Sequence, residues 1–388
     1  MNKRIFTTCF SLALLAEIAS GQNTVLGTIQ SDGLTRDYRL YVPAVYNGSV
    51  AVPLVLNLHG YGSNNLEQEF YGSFHAIADT ANFLVVMPNG TIDGQGKRFW
   101  NTFLGGATVD DVGFLSRLID TLSATYNIDP NRIYSTGMSN GGFMSYQLAC
   151  ALNDRIAAIA SVTGSMIQSK LNACNPERPV PVMEIHGTAD AIVPYNGSAI
   201  NTFVAIPTLV QAWVGFNSCS LVPTFTDVPN SNTTDGCTAE HYLYSGGDNG
   251  STVEHYKIIG GGHTWPGALF NVGVTNQDFN ASKEIWRFFR QYRLDELTAA
   301  HEVADTHTSG WSLAPNPAKD YVVLQSSGQA GAKRVAVYNA LGMVLQSFVP
   351  AESDNAIRIQ TGGLENGVYI VLVDTRGGAQ QIRLVKQD

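Results

Sequence analysis

Charge is scarce in this chain. Only 14% of its 388 residues are Asp, Glu, Lys or Arg, and the basic ones are fewer, 23 against 32, for a formal net charge of −9. No basic stripe is visible, which argues against a nucleic-acid partner. Beyond the N-terminus no apolar run is long enough to span a bilayer as a helix, so no transmembrane segment is expected. Cysteine is rare as well. There are five, none in C-x-x-C spacing, which speaks against structural zinc. No metal or other cofactor is expected.

What the N-terminus does have is a secretory pattern. Lys3 and Arg4 precede a mostly apolar run over residues 5–16, and Ala19, Ser20 and Gly21 offer a cleavage site before Gln22. Residues 1–21 therefore read as a signal peptide, with Cys9 inside it. The other four cysteines, Cys150, Cys174, Cys219 and Cys237, form an even set in an exported chain, which suggests two disulfides. Four cysteines allow three pairings. The two short loops, Cys150–Cys174 and Cys219–Cys237, are preferred, with free buried thiols as the alternative.

Hydrophobic content is 44%, enough for a packed core. Short apolar strands are expected at residues 38–42, 52–59, 83–87, 132–136, 156–162, 181–186 and 253–259. Helical patterns lie between them, at 66–80, 112–122, 143–149, 202–216 and 279–292. That alternation predicts an α/β fold with a mainly parallel central sheet over residues 22–296. A polar linker follows at 297–310. Short alternating runs at 321–324, 335–338 and 368–373 then predict a small all-β sandwich over 311–388.

The chemistry centres on Gly137-Met138-Ser139-Asn140-Gly141, a G-x-S-x-G sequence between a predicted strand and a predicted helix. In that context the serine sits on a sharp turn with its hydroxyl exposed at the sheet's edge; a plain strand-to-helix turn is the other reading. A serine nucleophile needs a base, and the base needs a carboxylate. Downstream, His186-Gly187-Thr188-Ala189-Asp190 places Asp190 in the loop after a buried strand, as the acid or as a turn cap. His263 follows the last apolar strand in a glycine-rich loop and is the candidate base. Oxyanion donors are expected from the Asn140 N–H and from the loop His59-Gly60-Tyr61-Gly62, at the Tyr61 N–H, with His59 orienting that loop. Trp100, Tyr195 and Trp265 are candidates for the substrate cleft, although each is equally explicable by packing. Asp110 and Asp111 read as a helix cap rather than a metal site.

Leu58-His59-Gly60-Tyr61-Gly62, Gly137 to Gly142, His186 to Asp190 with Val193-Pro194-Tyr195, and Gly261-Gly262-His263-Thr264-Trp265-Pro266-Gly267 together resemble the polyhydroxybutyrate depolymerase and feruloyl esterase group of α/β-hydrolases. The resemblance implies the triad Ser139, Asp190 and His263. It also implies a secreted esterase acting on polyesters or on acyl groups of plant cell-wall xylan. Feruloyl or acetyl esters on xylan are preferred, because no polymer-binding module is evident; a polyester depolymerase is the alternative. A catalytically silent surface-binding relative and a serine peptidase are further readings. The segment with Leu313-Ala314-Pro315-Asn316-Pro317, Val337-Tyr338-Asn339-Ala340-Leu341-Gly342 and Leu364-Glu365-Asn366-Gly367-Val368-Tyr369 resembles the sorting domain of the type IX secretion system. That implies export through this machinery. A carbohydrate-binding sandwich is the rival reading, but it would usually present a row of exposed aromatics.

Overall fold

The computed structural model describes residues 23–102, 108–270, 272–298, 310–326, 331–339, 344–351, 353–375 and 378–387. The signal peptide and most of the linker expected from sequence lie outside them. A ten-stranded sheet organises the larger part. Its strands in chain order are β1 (Asn23–Ser31), β2 (Leu34–Val42), β3 (Val52–Leu58) and β4 (Leu84–Pro88); a two-residue-per-strand hairpin, β5 (Thr91–Ile92) and β6 (Arg98–Phe99), stands apart. Then come β7 (Ile128–Met138), β8 (Ala158–Val162), β9 (Val182–Gly187), β10 (Thr224–Val228), β11 (Thr238–Tyr244) and β12 (Val253–Ile259). The spatial order is β1-β2-β4-β3-β7-β8-β9-β12-β11-β10. The run from β4 to β12 is parallel, and an antiparallel pair closes each edge.

The parallel strands are apolar on both faces, as helices on each side require. β3 is buried at every position: Leu54, Leu56 and Leu58 enter one core and Val55 the other. The first core is completed by helices α3 (Asp111–Thr125), α4 (Asn140–Ala151) and α6 (Ile206–Phe216). The second is completed by α2 (His75–Ala81) and α7 (Ala281–Phe289). Two short helices, α1 (Asn65–Gly72) and α5 (Gln168–Ala173), lie between strands, and α8 (Leu294–Thr298) ends this part.

The single helix expected over residues 66–80 is two. Ser73 takes a left-handed conformation at φ 43°, and its N–H donates to the Glu69 carbonyl, closing α1. A side chain at Gly72 would stand 2.7 Å from the Asn57 amide nitrogen, so glycine is needed there. The break turns Phe74 into the core, where it is 1% exposed.

Cys150 and Cys174 form a disulfide that ties the C-terminal end of α4 to α5. The expected Cys219–Cys237 bond is absent; both are free, buried thiols. Cys219 lies just after α6, against Gly247 and Ser251 at one end of β11 and β12. Cys237 lies at the other end of β11, beside Gly260. Seven strand residues separate those ends, roughly 23 Å at strand rise. The two thiols also enter opposite cores.

The C-terminal part is an antiparallel sandwich, as expected. One sheet is β13 (Trp311–Ala314), β14 (Tyr321–Ser326) and β17 (Ala356–Gln360). The other is β15 (Ala332–Tyr338), β16 (Val344–Phe348), β18 (Gly367–Thr375) and β19 (Gly378–Lys386). Val322, Leu324 and Ile359 of the first sheet and Val335, Val337 and Val371 of the second share one core.

Candidate active site

Ser139 stands on the turn between β7 and α4 with φ 54° and ψ −120°, a backbone conformation that a non-glycine residue adopts only under constraint. The constraint is close packing. A Cβ at Gly141 would lie 2.1 Å from the Leu58 carbonyl oxygen, and one at Gly137 would lie 2.6 Å from the same atom. Only glycines let α4 start this near β3. The Ser139 N–H donates to the Val162 carbonyl at 2.8 Å, fixing the turn to β8 as well.

Asn140 opens α4, so its N–H has no carbonyl one turn back within the helix. Its buried side chain pins the neighbouring segment. The Asn140 amide oxygen accepts from the Trp100 N–H at 2.6 Å. Its nitrogen donates to the Trp100 carbonyl at 3.1 Å and to the Thr102 hydroxyl at 2.8 Å.

The loop after β3 is fastened from behind. His59 Nδ1 donates to the Gly60 carbonyl at 2.8 Å, and Nε2 accepts from the Gly90 N–H at 2.9 Å. One donor and one acceptor suit a neutral ring, and burial pushes His59 down to about 4. Gly60 lies directly against Ser139: a Cβ there would be 3.4 Å from Ser139 Cβ. Tyr61 is 40% exposed and its hydroxyl donates to Asp93 at 2.6 Å.

Asp190 and His263 ride on the ends of the neighbouring strands β9 and β12. The two loops are stitched together: the Ala189 N–H donates to the Gly261 carbonyl at 2.9 Å, and the Gly260 N–H to the Thr188 hydroxyl at 2.8 Å. His263 Nδ1 donates to Asp190 Oδ2 at 2.7 Å. Asp190 Oδ1 accepts from the Ile192 and Val193 amides, each at 2.8 Å. Burial would push the Asp190 carboxyl up, but hydrogen bonds from His186 and His263 outweigh it and hold it far below the usual range.

Ser139 and His263 line one cleft of about 660 Å³, with walls of Phe70, Tyr71, Met138, Phe270 and Val272. The three aromatic residues expected in the cleft stand one layer behind it. Trp100 is fully buried and its indole N–H donates to the His59 carbonyl, bracing the loop before Tyr61. Trp265 is 1% exposed, and its backbone N–H donates to the hydroxyl of Tyr71, itself a wall residue. The Tyr195 hydroxyl donates to His255 Nε2 at 2.9 Å, beneath β12. Four of the wall residues carried no functional signal in the sequence: Phe70 and Tyr71 fall within the helix expected over 66–80, and Phe270 and Val272 lie outside every expected element. Glu184 and His186 do carry one, although His186 precedes the acid and so does not fit the place of the base. They are two charged residues with period two inside an otherwise apolar strand, so they share a face. The structure puts both, wholly buried, behind Asp190.

Parts of the chain match known protein families. Residues 108–210 match the phospholipase/carboxylesterase family, and residues 312–387 match the secretion system C-terminal sorting domain. The chain is 30% identical over 271 residues to "Putative esterase NocK" of Nocardia uniformis subsp. tsuyamanensis, covering 64% of this chain and 78% of that protein. It is 28% identical to a bifunctional acetylxylan esterase/xylanase, XynS20E, of Neocallimastix patriciarum, and 30% identical to feruloyl esterase B of Piromyces equi. Those matches cover 70% and 57% of this chain, but only 35% and 41% of the two relatives' lengths. The chain thus belongs to the carboxylic-ester hydrolases of the α/β-hydrolase fold and ends in a type IX sorting domain that directs it to the cell surface or beyond.

Proposed function

We propose that this esterase works through a serine nucleophile, with Ser139, His263 and Asp190 as its triad and the Asn140 and Tyr61 N–H groups as oxyanion donors. The observation that carries the reading is the 2.7 Å Asp190–His263 bond at the edge of the cleft that Ser139 also lines. Ser139 Oγ gives its proton to His263 Nε2 and bonds to the ester carbonyl carbon. The carbonyl oxygen gains negative charge and is met by the two amides. Collapse breaks the bond to the alcohol, which leaves with the proton from His263. Water then repeats the sequence on the acyl-enzyme, freeing the acid and restoring Ser139. Asp190 fixes the ring's tautomer and stabilises its charged form throughout.

The substrate class follows from the walls and from the relatives. An apolar slot flanked by Phe70, Tyr71 and Phe270 suits a planar aromatic acyl group such as feruloyl, and acetyl fits within it. Relatives named for feruloyl and acetylxylan esters support xylan as the polymer. The exposed apolar side chains at the mouth, Leu269, Phe270 and Val272, favour polyester as the second reading. The working chain comprises residues 22–296, joined by a linker at 297–310 to the sorting domain at 311–388 and freed of a signal at 1–21. Labelling with a fluorophosphonate probe tests the mechanism: wild type is expected to label and Ser139→Ala to stay unlabelled. Equal labelling of both would overturn it. Hydrolysis of methyl ferulate beside polyhydroxybutyrate film tests the substrate, and activity on film alone would reverse the preference.

A further inference from the structure

Behind the catalytic carboxylate lies a second histidine that the triad does not use. His186, on β9, is fully buried. Its Nδ1 stands 2.8 Å from Glu184 Oε1. Its Nε2 stands 2.8 Å from the Val193 carbonyl oxygen and 3.4 Å from Asp190 Oδ2. Burial raises the Glu184 carboxyl, opposed by the bonds from His186 and Tyr146; with Glu184 ionised, every one of these partners is an acceptor. A neutral imidazole has one lone-pair nitrogen, and here it would face an oxygen with no proton between them. The neighbouring His255 shows the contrast. Its Nδ1 donates to the Glu184 carbonyl at 3.0 Å, and its Nε2 accepts from the Tyr195 hydroxyl, so that ring is satisfied while neutral.

We propose that His186 is a positioning residue of the hydrolysis: as a buried imidazolium clamped by Glu184, it keeps the Asp190 carboxylate charged and aimed at His263. The inference rests on the triad reading above and extends it to a linear array, Ser139, His263, Asp190, His186, Glu184. Tyr146 of α4 closes the far end, its hydroxyl donating to Glu184 Oε2 at 2.8 Å.

The charges around the ring support this assignment. Glu184 and Asp190 flank it from its own strand and loop. From β12, His255 is held down to about 4 by burial and carries no charge near neutrality. Lys257 pairs with His186 in the strand register, but its amine is engaged with Glu240 at 3.0 Å. Tyr195 presents its ring edge at 6.1 Å. Burial alone would push His186 down; its bonds to Asp190 and Glu184 bring it up to about 9. The array alternates in sign, so each charge is taken out of water beside its opposite, which a lone buried ion would lack. In catalysis the positive charge behind Asp190 disfavours proton transfer from the His263 ring onto the carboxylate. The proton taken from Ser139 therefore stays on the ring, available for the leaving alcohol.

The test is the pH dependence of kcat/KM for p-nitrophenyl acetate in wild type and His186→Gln. A buried positive charge one carboxylate away from His263 opposes a second one there. Its loss, partly offset when Glu184 gives up its charge, is expected to move the acid limb upward by about one pH unit. A lower rate with an unmoved limb would mean that His186 only packs, and would overturn the proposal. If the variant does not fold, the wild type still decides. In ¹⁵N-histidine spectra one ring is expected to keep both nitrogens protonated from pH 5 to pH 8, and to lose that signature in no part of the range. Neutral-tautomer rings at pH 7 for all three buried histidines, His59, His186 and His255, with no such resonance, would refute it. Fluorophosphonate labelling of wild type separates the two levels: no labelling removes the triad reading, whereas labelling with an unmoved limb removes only the role of His186.

Discussion

Asn140 offers the sharpest check on how the nucleophile turn is held. Its side chain makes three hydrogen bonds to residues 100 and 102, and it is 1% exposed, against 0% for Trp100 and 4% for Thr102. Truncation to alanine leaves the buried Trp100 N–H without its acceptor, while the Trp100 carbonyl keeps the Thr102 N–H at 2.8 Å. An orphaned buried group costs about 1–3 kcal/mol, so Asn140→Ala should lose about 1–3 kcal/mol. For a domain of this size that corresponds to a Tm lower by roughly 2–10 °C. Asn140→Asp is the more discriminating variant. It keeps the acceptor for the Trp100 N–H but turns an oxygen toward the Trp100 carbonyl, where the nitrogen had donated. Its deficit should shrink at low pH, where the carboxyl regains a proton to donate. The oxyanion donor proposed at this position is backbone and survives both changes, so any fall in kcat on p-nitrophenyl acetate measures displacement of the turn. Calorimetry with parallel kinetics reads both quantities. An alanine variant that melts within 1 °C of wild type would show that the clamp contributes nothing and that the turn is held by its glycines alone.

Other consequences are equally direct. Gly141→Ala puts a Cβ 2.1 Å from the Leu58 carbonyl oxygen; it should destabilise by at least about 1–3 kcal/mol and abolish most activity, and a soluble, fully active variant would contradict the packing described. His59 and His255, both held down to about 4 by burial, are neutral in the fold and protonate more readily when unfolded. Their contribution is therefore full above about pH 6.5 and lost as pH falls toward 4, while the contribution of His186, raised to about 9, is full below about pH 6.5 and lost as pH rises through 9. Melting temperature should accordingly fall on both sides of neutrality, and a flat profile from pH 4 to 9 would count against these assignments. Removing the Cys150–Cys174 bond, whose partners are 24 residues apart, should cost about 3 kcal/mol, and titration of the denatured, unreduced mature protein should find two thiols rather than none.

The sequence was most readable where burial is complete on both faces. β3 and β4 are nearly continuous apolar runs, and their ends fell within one residue of expectation because a strand covered on both sides tolerates little else. The order of the serine, acid and histidine loops was legible for a related reason: each follows a strand end and is built on glycine or on a turn carboxylate. Less was legible where neighbours decide. The break at Ser73 depends on Asn57, far along the chain. The position of Cys237 relative to Cys219 depends on the length of β11, the strand between β12 and the edge strand β10. The cleft walls belong to α1 and to the loop after Trp265, and nothing local marks them as facing a cavity rather than the interior.

The layout of the strand ends has a mechanical outcome. The proposed nucleophile and oxyanion donors sit at the ends of β7 and β3, which are neighbours; the proposed acid and base sit at the ends of β9 and β12, also neighbours; and β8 runs between the two pairs. The catalytic apparatus is thus two rigid halves meeting across a single spacer strand. Loosening of that seam would pull the alcohol away from its proton acceptor while each half remained intact. In urea, esterase activity should therefore vanish at a lower concentration than the loss of tryptophan fluorescence or circular dichroism, and coincident midpoints would show that the halves part only when everything does.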